Sequence, residues 1–399
     1  MIEFPKLGSR RAFMRASGLV ALGACLPRMV LAAAATEARL VLVILRGALD
    51  GLAAVPAFGD GNFSRSRGAL AITAPELKLN GLFALHPALT DLHARYLAQE
   101  LLVFHAVASP YRERSHFDGQ DLLEAGLPSR TGIRDGWLNR ALLSLPVTRE
   151  HSSNQLAVAI AQTVPLVLRG EARVNSWSPS RLPQADADTL ERLADLYANE
   201  PLLAERLSTA LSSNETAAGT PGGRDPLGAF KSLAEAAGKL LAAPEGARIA
   251  VIETSGWDTH ANQGAEAGQL ANRLRTLDQG LAALRTSIGA AWSETAVLVV
   301  TEFGRTVAIN GTRGTDHGTA SCALLLGGAV AGGRVLADWP GLAAGSLYQG
   351  RDLQPTSDLR SIFKGVLNAH LQAPEGDLER NIFPNSGRAK TLEGLIRAG

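Results

Sequence analysis

The sequence predicts an α/β protein with a mostly parallel central sheet flanked by helices, and three observations carry that expectation. Apolar runs at Leu40–Leu45, Leu101–Ala106, Ile249–Ile252 and Ala296–Val300 read as strands buried on both faces. Between the last two, Leu270, Leu274, Leu277, Leu281, Leu284 and Ile288 recur at helical spacing and form one stripe. A strand, a crossing helix and a second strand imply parallel pairing, so the carboxyl ends of the strands share one sheet edge.

That edge is where ligands collect in open α/β sheets, and acids and imidazoles follow the two later runs. Glu253, Asp258 and His260 come after the first, and Glu302, Asp316 and His317 after the second. The crossover therefore brings Asp258, His260, Glu302 and His317 into one neighbourhood. Carboxylate oxygens and neutral imidazole nitrogens are the ligand set of zinc and similar divalent ions. Clustered carboxylates also repel one another unless a cation joins them. The plainer alternative has Asp258 capping a helix, Glu302 paired with Arg305 and Asp316 starting a turn.

The chain has 399 residues and 46% hydrophobic residues, enough for a sizeable core. Its net charge of +1, with no basic run interleaved with aromatics, argues against a nucleic-acid partner. Residues 1–35 read as a twin-arginine signal peptide: Ser9-Arg10-Arg11-Ala12-Phe13-Met14, the apolar run Gly18–Leu26, then small residues Ala32–Ala35 suited to cleavage. The expected partner during export is the twin-arginine translocase, and the expected location is the periplasm or outside the cell. Leu22-Gly23-Ala24-Cys25 offers an alternative, a lipid anchor at Cys25. No later segment reaches the length of a membrane span. The remaining cysteine, Cys322, lies in the strand-like run SCALLL and reads as a small core residue.

Residues 36–399 read as a single domain. The first strand ends in Arg46-Gly47-Ala48-Leu49-Asp50-Gly51, again a strand followed by an acid, although Asp50 by itself suits a simple turn. His86-Pro87 opens a helix carrying Leu89, Leu92 and Tyr96; His86, His93 and His105 have no acid at ligand spacing and read as structural or exposed. After the strand at Leu101, Ser115 stands at a helix N-terminus, where backbone N–H groups favour an anion, with Arg112 and Arg114 nearby. It suits either a nucleophile or an ordinary helix cap, and the adjacent His116 a ligand or general acid. Leu156–Ile160 and Val164–Leu168 look strand-like. Residues 184–245 read as a helical insertion broken at Ser212–Asp225, and terminal helices are expected near Asp358–Leu371 and Thr391–Arg397.

The segments LRGALDGL, HPALTDL, RSHFDGQDLLEAG, ETSGWDTHANQ, VVTEFGRT and GTDHGTAS, behind a twin-arginine signal, resemble the exported bacterial domain-of-unknown-function 1501 family. That family is placed in the alkaline-phosphatase-like superfamily, with phosphatases, sulfatases and cofactor-independent phosphoglycerate mutases. The resemblance implies a roughly doubly wound sheet with metal ions at its strand ends. It implies that Asp50 touches a metal near the nucleophile, that Ser115 is the nucleophile, and that Asp258, His260, Glu302 and His317 are ligands. In three places the sequence departs from the superfamily: Glu302 replaces an aspartate, Phe303 stands where a ligand histidine would be, and Asp258 and His260 are two apart where phosphatases space them four apart.

The expected function is thus an exported metal-dependent hydrolase of a phosphate or sulfate ester, small or polymeric. Its expected cofactor is a divalent ion, zinc first, with calcium, magnesium or manganese as the other choices. Asp50, Asp258, His260, Glu302, Asp316 and His317 are the candidate metal residues, and Ser115, His116, Arg114 and Arg305 the candidate catalytic ones, the arginines stabilising charge on the transferred group. The alternative is a secreted binding or structural protein that keeps the fold without turnover.

Overall fold

The computed structural model describes residues 37–146, 156–179, 187–197, 200–217, 226–244 and 246–398. The signal-peptide segment with Cys25 lies outside the described residues, as does 218–225 of the linker-like stretch.

The strands are β1 (Arg39–Arg46), β2 (Leu101–Ala108), β3 (Ala157–Ala159), β4 (Asn175–Ser176), β5 (Ile249–Ser255), β6 (Thr295–Thr301), β7 (Ser321–Leu326), β8 (Arg334–Leu336) and β9 (Ser357–Asp358). They form one nine-stranded sheet in the order β4-β3-β5-β1-β6-β7-β2-β8, with β9 on β2. Every pairing is parallel except those of β7, which runs antiparallel to both β6 and β2. The predicted mostly parallel α/β sheet is the observed one.

The helices are α1 (Gly51–Ala54), α2 (Phe63–Arg67), α3 (Thr90–Leu97), α4 (His116–Ala125), α5 (Trp137–Ser144), α6 (Ala187–Tyr197), α7 (Pro201–Thr216), α8 (Pro226–Ala242), α9 (Gln269–Ile288) and α10 (Leu359–Ala369). The stripe Leu270, Leu274, Leu277, Leu281, Leu284 and Ile288 is fully buried along α9 and packs with Val41, Val43 and Leu45 of β1 in one core. Burial of each such side chain contributes about 1.5–3 kcal/mol. The alternate residues Leu40, Leu42 and Ile44 face a second core on the other side of the sheet, with Trp137 and Phe363. Those two rings stack at 4.8 Å. An unbroken apolar β1 follows from this: with cores on both faces, neither set of alternating side chains meets water.

The crossover from β5 through α9 to β6 is parallel as expected, and β1 lies between the two strands, with Arg46 level with Ser255 and Leu45 level with Thr301. The loops after β1, β5 and β6 therefore leave the sheet side by side. Gly47 permits this closeness: its φ is +122°, and a Cβ there would stand 2.7 Å from the Asp258 nitrogen.

Three local expectations are corrected. Leu166–Leu168 is a 3-10 turn rather than a strand. Ser212–Thr216 continues α7, so the break in the insertion begins later than its composition suggests. No helix forms at Thr391–Arg397: Ile396 bridges to Val330 and Leu395 is buried, so tertiary pairing outweighs a short periodicity. Among the described residues no helix is long and apolar enough to cross a membrane.

Candidate metal centre

Three imidazoles and one carboxylate meet where β1, β2, β5 and β6 end and β7 begins. His116 is the first residue of α4, placed there by the loop after β2. Its Nδ1 lies 2.9 Å from Glu302 Oε1 and its Nε2 3.3 Å from Asp258 Oδ2. His317 Nδ1 lies 2.9 Å from the Arg114 carbonyl, and its Nε2 3.4 Å from Asp258 Oδ1. His260 Nδ1 lies 3.3 Å from Asp316 Oδ1, and its Nε2 3.1 Å from Asp258 Oδ1 and 3.0 Å from His317 Nε2.

Each Nδ1 faces an oxygen that only accepts, so a proton held on Nδ1 leaves Nε2 with a lone pair toward Asp258. In that tautomer three lone pairs converge on one carboxylate, the donor set that a divalent cation takes. His116 Nε2 is buried and makes no hydrogen bond. The ligand atoms of His116, Asp258 and His317 all lie within 4.8 Å of one another. An imidazole whose far nitrogen is held by a carboxylate or carbonyl is the usual supporting arrangement behind a metal ligand. These residues therefore fit a divalent ion held by His116, Asp258 and His317, with His260 beside them.

Charge in the cluster is set by its neighbours. Burial raises the Asp258 carboxyl, but the Arg305 hydrogen bond and charge, with the two histidines, outweigh it and leave it below its ordinary value. Glu302 is likewise pushed up by burial and brought lower by hydrogen bonds from His116, Gln120 and the Gly47 N–H. His116 is raised, chiefly by its bond to Glu302, and His317 is lowered, first by burial and then by the charges of His116 and Arg305.

The pattern of the family described as protein of unknown function (DUF1501) matches residues 100–379, a span that includes His116, Asp258 and His317. The chain belongs to the DUF1501 family. No curated protein sequence matches it. Among solved structures, this DUF1501 protein is similar to a protein in the alkaline phosphatase superfamily from Vibrio parahaemolyticus, with 11% identity, 84% of this chain and 68% of that one covered, and a TM-score of 0.38. It is similar also to the phosphonate monoester hydrolase of Agrobacterium radiobacter (12% identity, 83% and 73% covered, TM-score 0.35). A third is the C-terminal periplasmic domain of EptC from Escherichia coli in complex with zinc (11% identity, 73% of each chain, TM-score 0.37).

Of the predicted residues, the DUF1501 chain brings together His116, Asp258, His260, His317, Glu302, Asp316 and Arg305, and Glu302 and Asp316 stand one step back from the expected ligand positions. Glu302 stands behind His116: Oε1 accepts from His116, Gly47 and Gln120, and Oε2 from Thr301 Oγ1. Asp316 stands behind His260 and accepts from Asn310 Nδ2. The pairing of Glu302 with Arg305 does not form; Arg305, buried, donates to Asp258 Oδ1 and to Thr315.

Asp50 is a correction. It is buried, caps α1 through Ala53 N, its Oδ2 accepts from Arg67 at 2.6 Å and Gln263 Nε2 at 2.7 Å, and it is not among the clustered ligand atoms. Its carboxylate is thus engaged by a helix cap and a buried ion pair, neither the ligand role nor the simple turn expected of it. Arg114 is a second correction: its guanidinium is held by Asp352 and Gln349, so only its backbone carbonyl meets the site. Ser115 is the N-cap residue of α4, yet its side chain makes no capping bond; its backbone N–H donates to the Tyr111 hydroxyl.

Gln120, Gly47, Asp352 and Gln263 were not read from the sequence. Only Gln120 carried a signal, standing one helical turn after His116 on the same face.

Proposed function

We propose that this DUF1501 protein is an exported, metal-dependent hydrolase of a phosphate or sulfate ester. The observation that carries the reading is the convergence of the His116, His260 and His317 Nε2 atoms on Asp258, each with its Nδ1 held by an oxygen. An imidazole-rich set favours zinc over calcium or magnesium, which take mostly oxygen ligands. When bound, such an ion supplies Lewis-acid polarisation of the ester and eases deprotonation of a nearby hydroxyl.

The chain's own residues supply the rest. Ser115 directly precedes His116 and keeps its hydroxyl free of helix capping, so it is available to attack the phosphorus or sulfur centre. The α4 N-terminus favours the anionic group beside it. Arg305 holds Asp258 in place and adds positive charge on the far side of the cluster. Arg10 and Arg11 would direct the folded protein through the twin-arginine translocase, and replacing both by Lys should leave the protein in the cytoplasm.

The test is the metal content of the purified full chain, with hydrolysis of aryl phosphate and aryl sulfate. One ion per chain and turnover of either ester, both lost in His317→Ala, support the reading. Arg305 favours a second reading, because its ion pair already neutralises Asp258 without a metal. Under that reading the protein binds a ligand without turnover, and a folded chain with no activity on either ester would favour it.

A further inference from the structure

A cavity of about 490 Å³ opens beside the imidazole cluster, lined among others by Arg46, Phe117, Gln120, Ile133, Arg169 and Glu253. That size falls within the roughly 300–1,000 Å³ of small-molecule sites. It is connected to the cluster through α4 and Glu302. Phe117 follows His116 on α4, and Gln120 Nε2 reaches Glu302 Oε1 at 3.1 Å, the oxygen that also holds His116 Nδ1.

The lining narrows what binds there. Phe117 is 83% exposed on a well-formed helix, an apolar ring left in water at the mouth of a polar site. An aromatic face in that position stacks on a flat ligand surface. Ile133, Pro165 and Leu166 add apolar surface, and the remaining wall is hydrogen-bonding and ionic. Arg46 donates to Gln120 at 2.8 Å, to Glu124 at 2.7 Å and to Glu253. Arg169 is exposed, with its Nε on the Val164 carbonyl at 2.7 Å. Arg46 is already engaged by Glu124 and Glu253, and Asp121 by Arg130, so of the wall's charges only Arg169 is left to meet a second anionic group. A plain hydrocarbon would meet Ile133, Pro165 and Leu166 but would strip water from the carboxylates opposite. Hydroxyl groups suit them, since each donates to a carboxylate or accepts from a guanidinium.

We propose that this cavity receives an uncharged, polyhydroxylated ring stacked on Phe117, so that the ester presented to the cluster is a sugar ester. The chemistry at the cluster rests on the hydrolase reading; binding in the cavity does not.

The test is calorimetric titration of the zinc-supplemented full chain with glucose 6-phosphate, galactose 6-sulfate, glycerol 3-phosphate and adenosine monophosphate. One of the hexose esters should bind about tenfold more tightly than glycerol phosphate, which carries a like anion without the ring. Phe117→Ala, a change at an exposed position, should erase that preference with zinc content unchanged, and Glu253→Gln should weaken it. Hexose esters that bind no better than glycerol phosphate, no binding of any probe, tighter binding of the nucleotide, or an unchanged preference in Phe117→Ala would overturn the proposal. Preferential hexose-ester binding with no turnover would sink the hydrolase reading and leave this one standing.

Discussion

The Nδ1 of His317 lies 2.9 Å from the backbone carbonyl of Arg114. Arg114 has φ +65°, a left-handed conformation that a non-glycine residue adopts only when its surroundings hold it there. Its guanidinium is anchored by the fully buried Asp352, at 2.8 Å from Nε and 2.7 Å from Nη2. Asp352 thus orients His317 through the Arg114 backbone. Asp352→Ala should lower zinc affinity about tenfold or more, as loss of an outer partner does. Competition with a chelating dye would measure it, and an unchanged affinity would remove Asp352 from the support of the site.

Ser115 separates two kinds of chemistry. Its side chain makes no capping bond, so Ser115→Ala should leave folding and metal content unaltered. If Ser115 is the nucleophile, ester turnover in that variant should fall about a thousandfold or more. A loss of less than tenfold in steady-state rates would point to water as the attacking group.

Asp50 gives the opposite expectation. Its carboxylate is the buried partner of Arg67, whose side chain has no exposure. Asp50→Ala leaves that guanidinium charged and unpaired, at a cost of about 3–5 kcal/mol. The urea midpoint should drop sharply while the folded fraction keeps its metal stoichiometry. Metal loss without loss of stability would restore Asp50 as a ligand.

His105 makes stability depend on pH. It is wholly buried, and burial lowers it from 6.5 to about 4. The neutral ring suits its surroundings, with Nε2 3.0 Å from the Val55 carbonyl and Nδ1 accepting from Ala106 N at 2.8 Å. Below pH 6.5 the unfolded chain binds a proton that the folded chain refuses, so stability is full above that pH and declines as pH falls toward 4. The His105 share of the decline is about 3 kcal/mol. Urea midpoints between pH 7.5 and 4.5 should fall less steeply in His105→Gln than in the parent chain, and parallel slopes would refute the assignment.

Much of the scaffold was legible because burial imposes period: β1 is apolar on both faces, and α9 repeats leucine at helical spacing. Where burial was partial the pattern misled. The segment at Thr391–Arg397 looks periodic, yet its backbone is taken by pairing with Val330. Asp258, His260, Glu302 and His317 were grouped from topology alone, and the structure does bring them together. The sequence places His317 after β6, but the residue owes its position to β7. Because β7 is antiparallel, its beginning and not its end lies at the edge where β1, β5 and β6 finish.

By itself the sequence determined the sheet, the crossing helix and the pool of acids and imidazoles at one edge, since these follow from hydrophobic period and chain connectivity. Only the tertiary structure decided which donors face one another. Asp50 turned to Arg67, Glu302 and Asp316 stepped behind histidines, and His116 moved to the front, because each outcome depends on hydrogen-bond partners brought from distant parts of the chain.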